Sequence, residues 1–243
     1  MIDGSGLSTW KKIKTELEGL FDNDRAKNSE WFFKTGKGEY GEGDRFLGID
    51  VPSQRNVARR YFELADLDDV EKLLGDGFHE VRLTAVIMLV EKFLKAGEKD
   101  KEKIFRFYLA HTDRMNNWDI VDVSAPKIIG RWLLGRDKKI IYKLARSKNI
   151  WERRMAIVST LTSVSEGELN DAFSIAEILL GDEEDLIRKA VGWILRECGK
   201  KDMKRLKKFI ADNGKSMSRV TLRYSLEKFP ESERKYILKE TKK

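Results

Sequence analysis

The sequence predicts an all-α fold built from helical repeats, stacked helix pairs that form one curved solenoid, an α-α superhelix. Three observations carry this. No stretch alternates apolar and polar residues as a half-buried strand does. Three helices share one pattern: Glu80 to Val90, Trp151 to Val158 and Asp185 to Leu195 each open with acidic or polar residues, carry basic residues in the middle and centre on a small alanine. Those alanines, Ala85, Ala156 and Ala190, stand 71 and 34 residues apart, close to two periods and one, with Ala125 between the first two. A period in this range marks helix pairs that bury their apolar faces on their neighbours.

The elements follow in order. Leu7, Trp10, Ile13, Leu17, Leu20 and Phe21 recur every three to four residues, the stripe of an amphipathic helix. Ser8 or Thr9 is expected to start it and Asp22-Asn23-Asp24 to end it. A short helix is expected over Ala26 to Lys34. Thr35 to Asp44 is the only glycine-rich passage. It lacks both the Lys-Ser/Thr ending and the strand-helix context of a phosphate cradle, so a loop or small hairpin over 35–45 is expected. Phe46-Leu47-Gly48-Ile49-Asp50-Val51-Pro52 leads into a helix with Ser53 as its N-cap or first-turn residue. That helix carries Arg55, Val57, Tyr61 and Phe62. Leu67 to Leu74 forms the next.

Amphipathic partners are expected at Lys101 to Leu109, Lys138 to Arg146, Leu169 to Leu180 and Met203 to Ala211. Asn149 with Glu152 resembles a capping box. Asp182-Glu183-Glu184-Asp185 puts negative charge where a helix N-terminus favours it. The last helices are Met217 to Lys228 and Glu231 to Glu240, separated by Pro230. The expectation is one helical-repeat domain over 1–243, ordered from about 7 to 240.

Composition narrows the partners. Apolar residues make up 41%, enough for a sizeable core. The net charge is +7, and Ile194 to Lys243 holds 16 Lys/Arg against 7 Asp/Glu. A basic chain end is either a solvated face or a nucleic-acid surface. Cys198 is the sole cysteine and His79 and His111 are far apart, so no disulfide, zinc centre or other metal site is expected. The longest apolar run, Ala85 to Val90, is far too short to cross a membrane. With no signal-peptide pattern, an intracellular, cytoplasmic protein is expected.

The stretch Met115 to Pro126 stands out. Trp118 and Asp122 are four residues apart, one helical turn, which puts an indole and a carboxylate on one face. Asp122 lies between Val121 and Val123. It is either a satisfied buried carboxylate that joins two helices or a charge displayed beside an aromatic wall.

Four segments together resemble the DNA alkylation repair family of AlkD type: Phe46 to Pro52, Trp118-Asp119-Ile120-Val121-Asp122, Asn149-Ile150-Trp151-Glu152-Arg153-Arg154 and Ala190 to Glu197. They occur in the family's order, and the likeness spans about residues 10 to 230. The resemblance implies a crescent of HEAT-like repeats that hydrolyses the N-glycosidic bond of cationic N3- or N7-alkylated purines in double-stranded DNA without base flipping, with no cofactor. It implies Asp122 as the catalytic carboxylate, Trp118 and Trp193 flanking the lesion backbone, Arg154 on the DNA backbone, and Arg55 and Arg196 toward phosphate. Each aromatic could equally be core packing and each arginine a surface charge. Strand cleavage is not expected, since no lysine stands in these motifs as a nucleophile.

Two features differ from the best-studied relatives. Phe32 aligns with their tyrosine, with Trp31 a rival for the position, and the Thr35 to Asp44 loop is longer. Some relatives with a hairpin near the site bind branched DNA, which makes a non-catalytic or weakly active binder of branched or damaged DNA the second expectation. A helical-repeat protein scaffold is the third. A monomer is expected.

Overall fold

The computed structural model describes residues 7–242. Among them there is no β-strand, only an isolated bridge between Arg45 and Phe78. The all-α reading holds. The chain divides into two compact units, one ending at Ser124 and the other beginning at Ala125.

The first unit holds α1 (Thr9–Glu18), α2 (Asn23–Phe32), α3 (Val51–Tyr61), α4 (Leu67–Leu74), α5 (His79–Lys95), α6 (Glu98–Ala110) and α7 (Trp118–Ser124). Its centre is α5, which packs on α1, α3, α4, α6 and α7. Its residues Val81 through Val90 are all buried, so α5 is enclosed on every side. That explains why its sequence carries no clean apolar stripe. By contrast α1 buries only Ile13 and Leu17, and Leu7, Leu20 and Phe21 from the expected stripe are exposed.

The caps correct two expectations and resolve a third. Asp22 does not close α1. It opens α2, its Oδ1 accepting from the amides of Asp24 and Arg25. Ser53 lies in the first turn of α3, one of its two expected places, and the N-cap is Asp50, whose Oδ1 accepts from the Ser53 amide at 2.8 Å. Asn149 caps its helix by accepting from the Trp151 amide, while its own N–H goes to Ser147 Oγ. A reciprocal capping box does exist, between Asp66 and Asp69 at the start of α4.

Residues 46–50 are held by a buried carboxylate. Glu80, 3% exposed, accepts from the amides of Leu47, Gly48 and Ile49 at 2.8–3.3 Å. Gly48 has φ +77°, and a Cβ there would stand 2.2 Å from the Asp22 carbonyl oxygen. Only glycine fits that close approach to the start of α2.

The second unit opens on a wide turn at Pro126–Gly130, closed by the Gly130 amide on the Ala125 carbonyl, five residues back. It continues through α8 (Lys139–Leu144), α9 (Ile150–Ser165), α10 (Asn170–Ile178), α11 (Asp185–Lys201), α12 (Met203–Asn213), α13 (Arg219–Ser225) and α14 (Glu231–Glu240). Here α9 and α11 are central: α9 packs on the wide turn, α8, α10 and α11, and α11 also packs on α12 and α13. Gly192 allows the approach of α13, since a Cβ would lie 2.5 Å from Tyr224 Cβ. Cys198 is buried in this core, which pushes its thiol up to about 12 and leaves it inert.

Glu80→Ala would strand three buried amides, each costing about 1–3 kcal/mol. Urea denaturation should show a loss of about 3 kcal/mol or more; a loss below 1 kcal/mol would mean that the 46–50 segment does not depend on Glu80.

Candidate functional site: an aromatic and carboxylate face on α7

The site starts from the turn that precedes α7. Asn117 Oδ1 accepts from the Trp118 amide and Asp119 Oδ1 from the Ile120 amide, both at 2.8 Å, so the first turn of α7 is capped by its own side chains. Trp118 and Asp122 then follow one turn apart on α7, and both remain partly exposed. Ile120, Val121 and Ser124 are buried. Beneath the helix, fully buried Tyr108 donates to Ser124 Oγ at 2.8 Å, because the Ser124 hydroxyl itself donates to the Ile120 carbonyl at 2.6 Å. Burial pushes the Tyr108 phenol up, and the Asp122 charge adds to that. Tyr108 is therefore a neutral strut beside Asp122.

Trp118 is fixed by a stack. Its ring lies 5.5 Å from Phe33, 25° from parallel. Phe33 stacks on Phe46 at 5.1 Å, and Phe46 on His79 at 4.9 Å. Phe32 meets Trp118 edge-on at 6.1 Å and is itself 55% exposed. The face thus presents Phe32, Trp118 and Asp122, backed by Phe33, Phe46 and His79.

Behind the stack lies a buried ionic cluster. His79 Nε2 donates to Asp119 Oδ2 at 2.9 Å, and its Nδ1 lies 3.6 Å from Asp44 Oδ2, ion-pair distance but too long for a hydrogen bond. Arg82 Nη2 donates to Asp44 Oδ1 at 2.6 Å, Nη1 to the Asp76 carbonyl and Nε to Asn116 Oδ1. Asn117 Nδ2 also donates to Asp44. Burial works against a charged His79, but the Asp119 and Asp44 carboxylates outweigh it and raise its pKa to about 9. Burial likewise opposes ionisation of Asp44, and His79 and Arg82 overcome it, holding its carboxyl below the usual range. Two cations and two carboxylates therefore tie the end of the glycine-rich loop and α5 to the residues that launch α7.

The loop itself is a chain of turns with no strand pairing. Glu39 accepts from the Gly36 amide, Glu42 from the Gly38 amide, and Tyr40 Oη donates to the Phe32 carbonyl at 3.5 Å.

The remaining expected residues are spread. Arg55 on α3 is half-buried, with no ion-pair or hydrogen-bond partner among the described residues. In the second unit, Trp193 and Arg196 are both half-buried on α11. Arg196 is held by Glu197 at 3.3 Å and by Glu227. Arg154 on α9 is 6% exposed, and its Nη1 donates to the Leu186 carbonyl at 2.6 Å. Its neighbour Arg153 grips Asp182 with Nε at 2.5 Å. Both arginines thus brace the start of α11 against α9.

Sequence reasoning missed Phe33, His79, Asp44, Arg82 and Asp119. The run Trp31-Phe32-Phe33 held a signal, since one helix face cannot bury three successive aromatics. Among the described residues, no three His, Cys, Asp or Glu side chains are grouped to hold a metal ion, and no helix is long and apolar enough to cross a membrane.

An all-α helical-repeat protein with an indole and a carboxylate displayed together on a short braced helix is the class these features define. The sequence profile of the DNA alkylation repair enzyme family matches residues 13–229, and the chain belongs to that family. It is similar in fold to a predicted DNA alkylation repair enzyme from Enterococcus faecalis, with 17% identity, TM-score 0.71, and coverage of 87% of this chain and 98% of that one. It is also similar to AlkD2 from Streptococcus mutans, with 18% identity, TM-score 0.59, and coverage of 90% and 99%. Among curated proteins none matches.

The ionisation of His79 sets a pH dependence. Its folded pKa lies above the unfolded value, so its contribution is complete below pH about 6.5, declines as pH rises from there, and is gone above about 9. Urea midpoints should fall between pH 6.5 and 9.5, and His79→Gln should remove most of that fall along with stability; an unchanged pH profile in the variant would rule out His79 as its source.

Proposed function

We propose that the protein is a monofunctional DNA glycosylase that removes cationic N3- or N7-alkylated purines from double-stranded DNA. Membership of the family supports DNA alkylation repair as the setting. The observation that carries the finer reading is the shared face of Trp118 and Asp122, partly exposed and rigidly backed.

The chemistry suits that pair. An alkylated purine already bears positive charge, so it leaves with the electron pair of its bond to C1′ and becomes neutral. No strong general acid is needed. The sugar is left as an oxocarbenium-like cation. The Asp122 carboxylate stabilises that cation and orients a water toward C1′, and the proton of the water passes to the carboxylate or to solvent. The products are a free base and an abasic site. A preorganised charge of this kind contributes several kcal/mol, about 10²–10³ in rate. The π face of Trp118 favours the same cation.

Access comes without base flipping in this reading, because the backbone rather than the base approaches the α7 face. Trp193, on α11 of the second unit, is the other tryptophan that the family resemblance assigns to the lesion backbone. Phe32 contributes contact area, and Arg55 contributes charge toward phosphate. Arg196 would engage phosphate by exchanging Glu227 for it. Arg154, buried and with Nη1 on the Leu186 carbonyl, would reach the DNA backbone by releasing that carbonyl. The protein acts as a monomer in the cytoplasm, on the nucleoid.

One observation favours a second reading. The 36–44 loop is bonded to the carbonyl of Phe32 and anchored through Asp44, so it borders the same face as a rigid attachment. A binder of branched DNA would use it, and deletion of 36–43 would then weaken junction binding far more than duplex binding. Equal losses would dismiss that role.

Asp122→Asn should lower release of 7-methylguanine from methylated duplex by at least about 100-fold while leaving DNA affinity within threefold, about 0.6 kcal/mol. Release at the wild-type rate would refute the assignment of Asp122.

A further inference from the structure

The α2 helix ends in an aromatic pair that the core does not use. Trp31 is 83% exposed, more than any other large apolar residue described, and Phe32 beside it is 55% exposed. An indole left so bare gains nothing from burial unless a partner covers it. Phe33, next in sequence, is turned inward into the Trp118 stack. The helix therefore sends one aromatic to the core and two outward.

The outward pair divides two concavities. One, about 450 Å³, is lined by Trp31, Phe32 and Ile49 with Asn28, Ser29 and the Arg25–Asp50 ion pair. The other, about 570 Å³, is lined by Trp31, Phe32, Lys27 and Lys34 with Glu30 and Glu39. Lys27, Lys34 and nearby Lys37 have no ion-pair partner among the described residues, and neither do the side chains of Asn28 and Ser29 have a hydrogen-bond partner. Glu30, Glu39 and Glu42 offset part of this charge, but Glu39 and Glu42 are oriented by the amides of Gly36 and Gly38 and form no ion pair with these lysines among the described residues.

A flat, exposed indole flanked by free cations and by an unengaged amide and hydroxyl is the equipment of a stacking platform for nucleobases. On such a platform phosphates would meet Lys27 and Lys34, a base face Trp31, and the base edge Asn28 and Ser29. Phe32 joins this ledge to Trp118, so it adjoins the face that carries Asp122.

We propose that Trp31 is a stacking platform for an unpaired DNA base beside the lesion, a base received into the 450 Å³ cleft over Ile49. The inference rests on DNA being the substrate, but it does not require Asp122 to act in catalysis. A duplex paired throughout has no base to offer. A duplex whose target nucleotide has lost its base leaves the opposite base without a partner, and that base is free to unstack. The ledge would then favour duplex that is weakened at the lesion, and it would hold the abasic product.

The test uses two duplexes of one sequence with 2-aminopurine at a fixed position, either opposite thymine or opposite a tetrahydrofuran abasic analogue. No bond is broken in either, so the result is independent of glycosylase activity. Wild type should bind the abasic duplex more tightly and quench its 2-aminopurine. Trp31→Ala should lose about 5- to 100-fold on the abasic duplex, the range for one stacked base, and at most twofold on the paired duplex. Trp31→Phe should retain most of the quenching. Equal losses on both duplexes, or no loss on either, would overturn the platform while leaving DNA recognition intact. Failure of the wild type to bind either duplex at low salt would overturn this inference together with the DNA-repair reading. Substitution of so exposed a side chain leaves the core untouched, and a matching thermal midpoint for each variant verifies that.

Discussion

The buried ion cluster of Asp44, His79, Arg82 and Asp119 is the constraint on which the first unit depends. Four charged groups out of water are costly unless each is matched, and here each meets an opposite charge. Removing one member of such a pair costs about 3–5 kcal/mol, since a lone buried charge remains. The arrangement resists small displacements for that reason. It also explains how a seven-residue helix can hold Trp118 and Asp122 on one partly exposed face. α7 is too short to be stable by itself, and it is held through Asn117 and Asp119 at its start and through Tyr108 and Ser124 at its end.

The same cluster divides labour between two carboxylates three residues apart. Asp119 is turned inward to His79, and Asp122 stays partly open to solvent beside Trp118. A single helical turn therefore carries a structural acid and a displayed one. The stack of His79, Phe46, Phe33 and Trp118 runs from the ion cluster to the surface and transmits its rigidity to the indole. Phe46 in turn precedes the segment held by Glu80, so two buried acidic anchors meet in one aromatic column.

How much was legible follows from the range of the interactions. Helices fix their own period, so α4 and α14 were readable to the residue and the repeat of Ala85, Ala156 and Ala190 marked α5, α9 and α11. Caps are short polar residues that can face either neighbour, and so Asp22 was read as a stop when it is a start. Trp118 and Asp122 were legible because their relation is local to one helix. The ion cluster was not: His79 meets partners 35 and 40 residues away, and Asp44 reaches Asn117 across 73. Glu80 looked like an ordinary first-turn acid because its amide partners lie more than 30 residues back. Arg154 and Arg196 illustrate a further limit, since a sequence shows a guanidinium but not the Leu186 carbonyl or Glu227 that holds it.

The central claim is that Asp119 braces α7 and Asp122 performs the chemistry. A paired comparison of Asp119→Asn and Asp122→Asn tests it most directly, with single-turnover release of 7-methylguanine measured beside urea denaturation. The account predicts that Asp122→Asn loses release with its denaturation midpoint unchanged, whereas Asp119→Asn loses stability but its folded fraction keeps most of the rate. The reverse pattern, or equal loss of both properties in both variants, would contradict it.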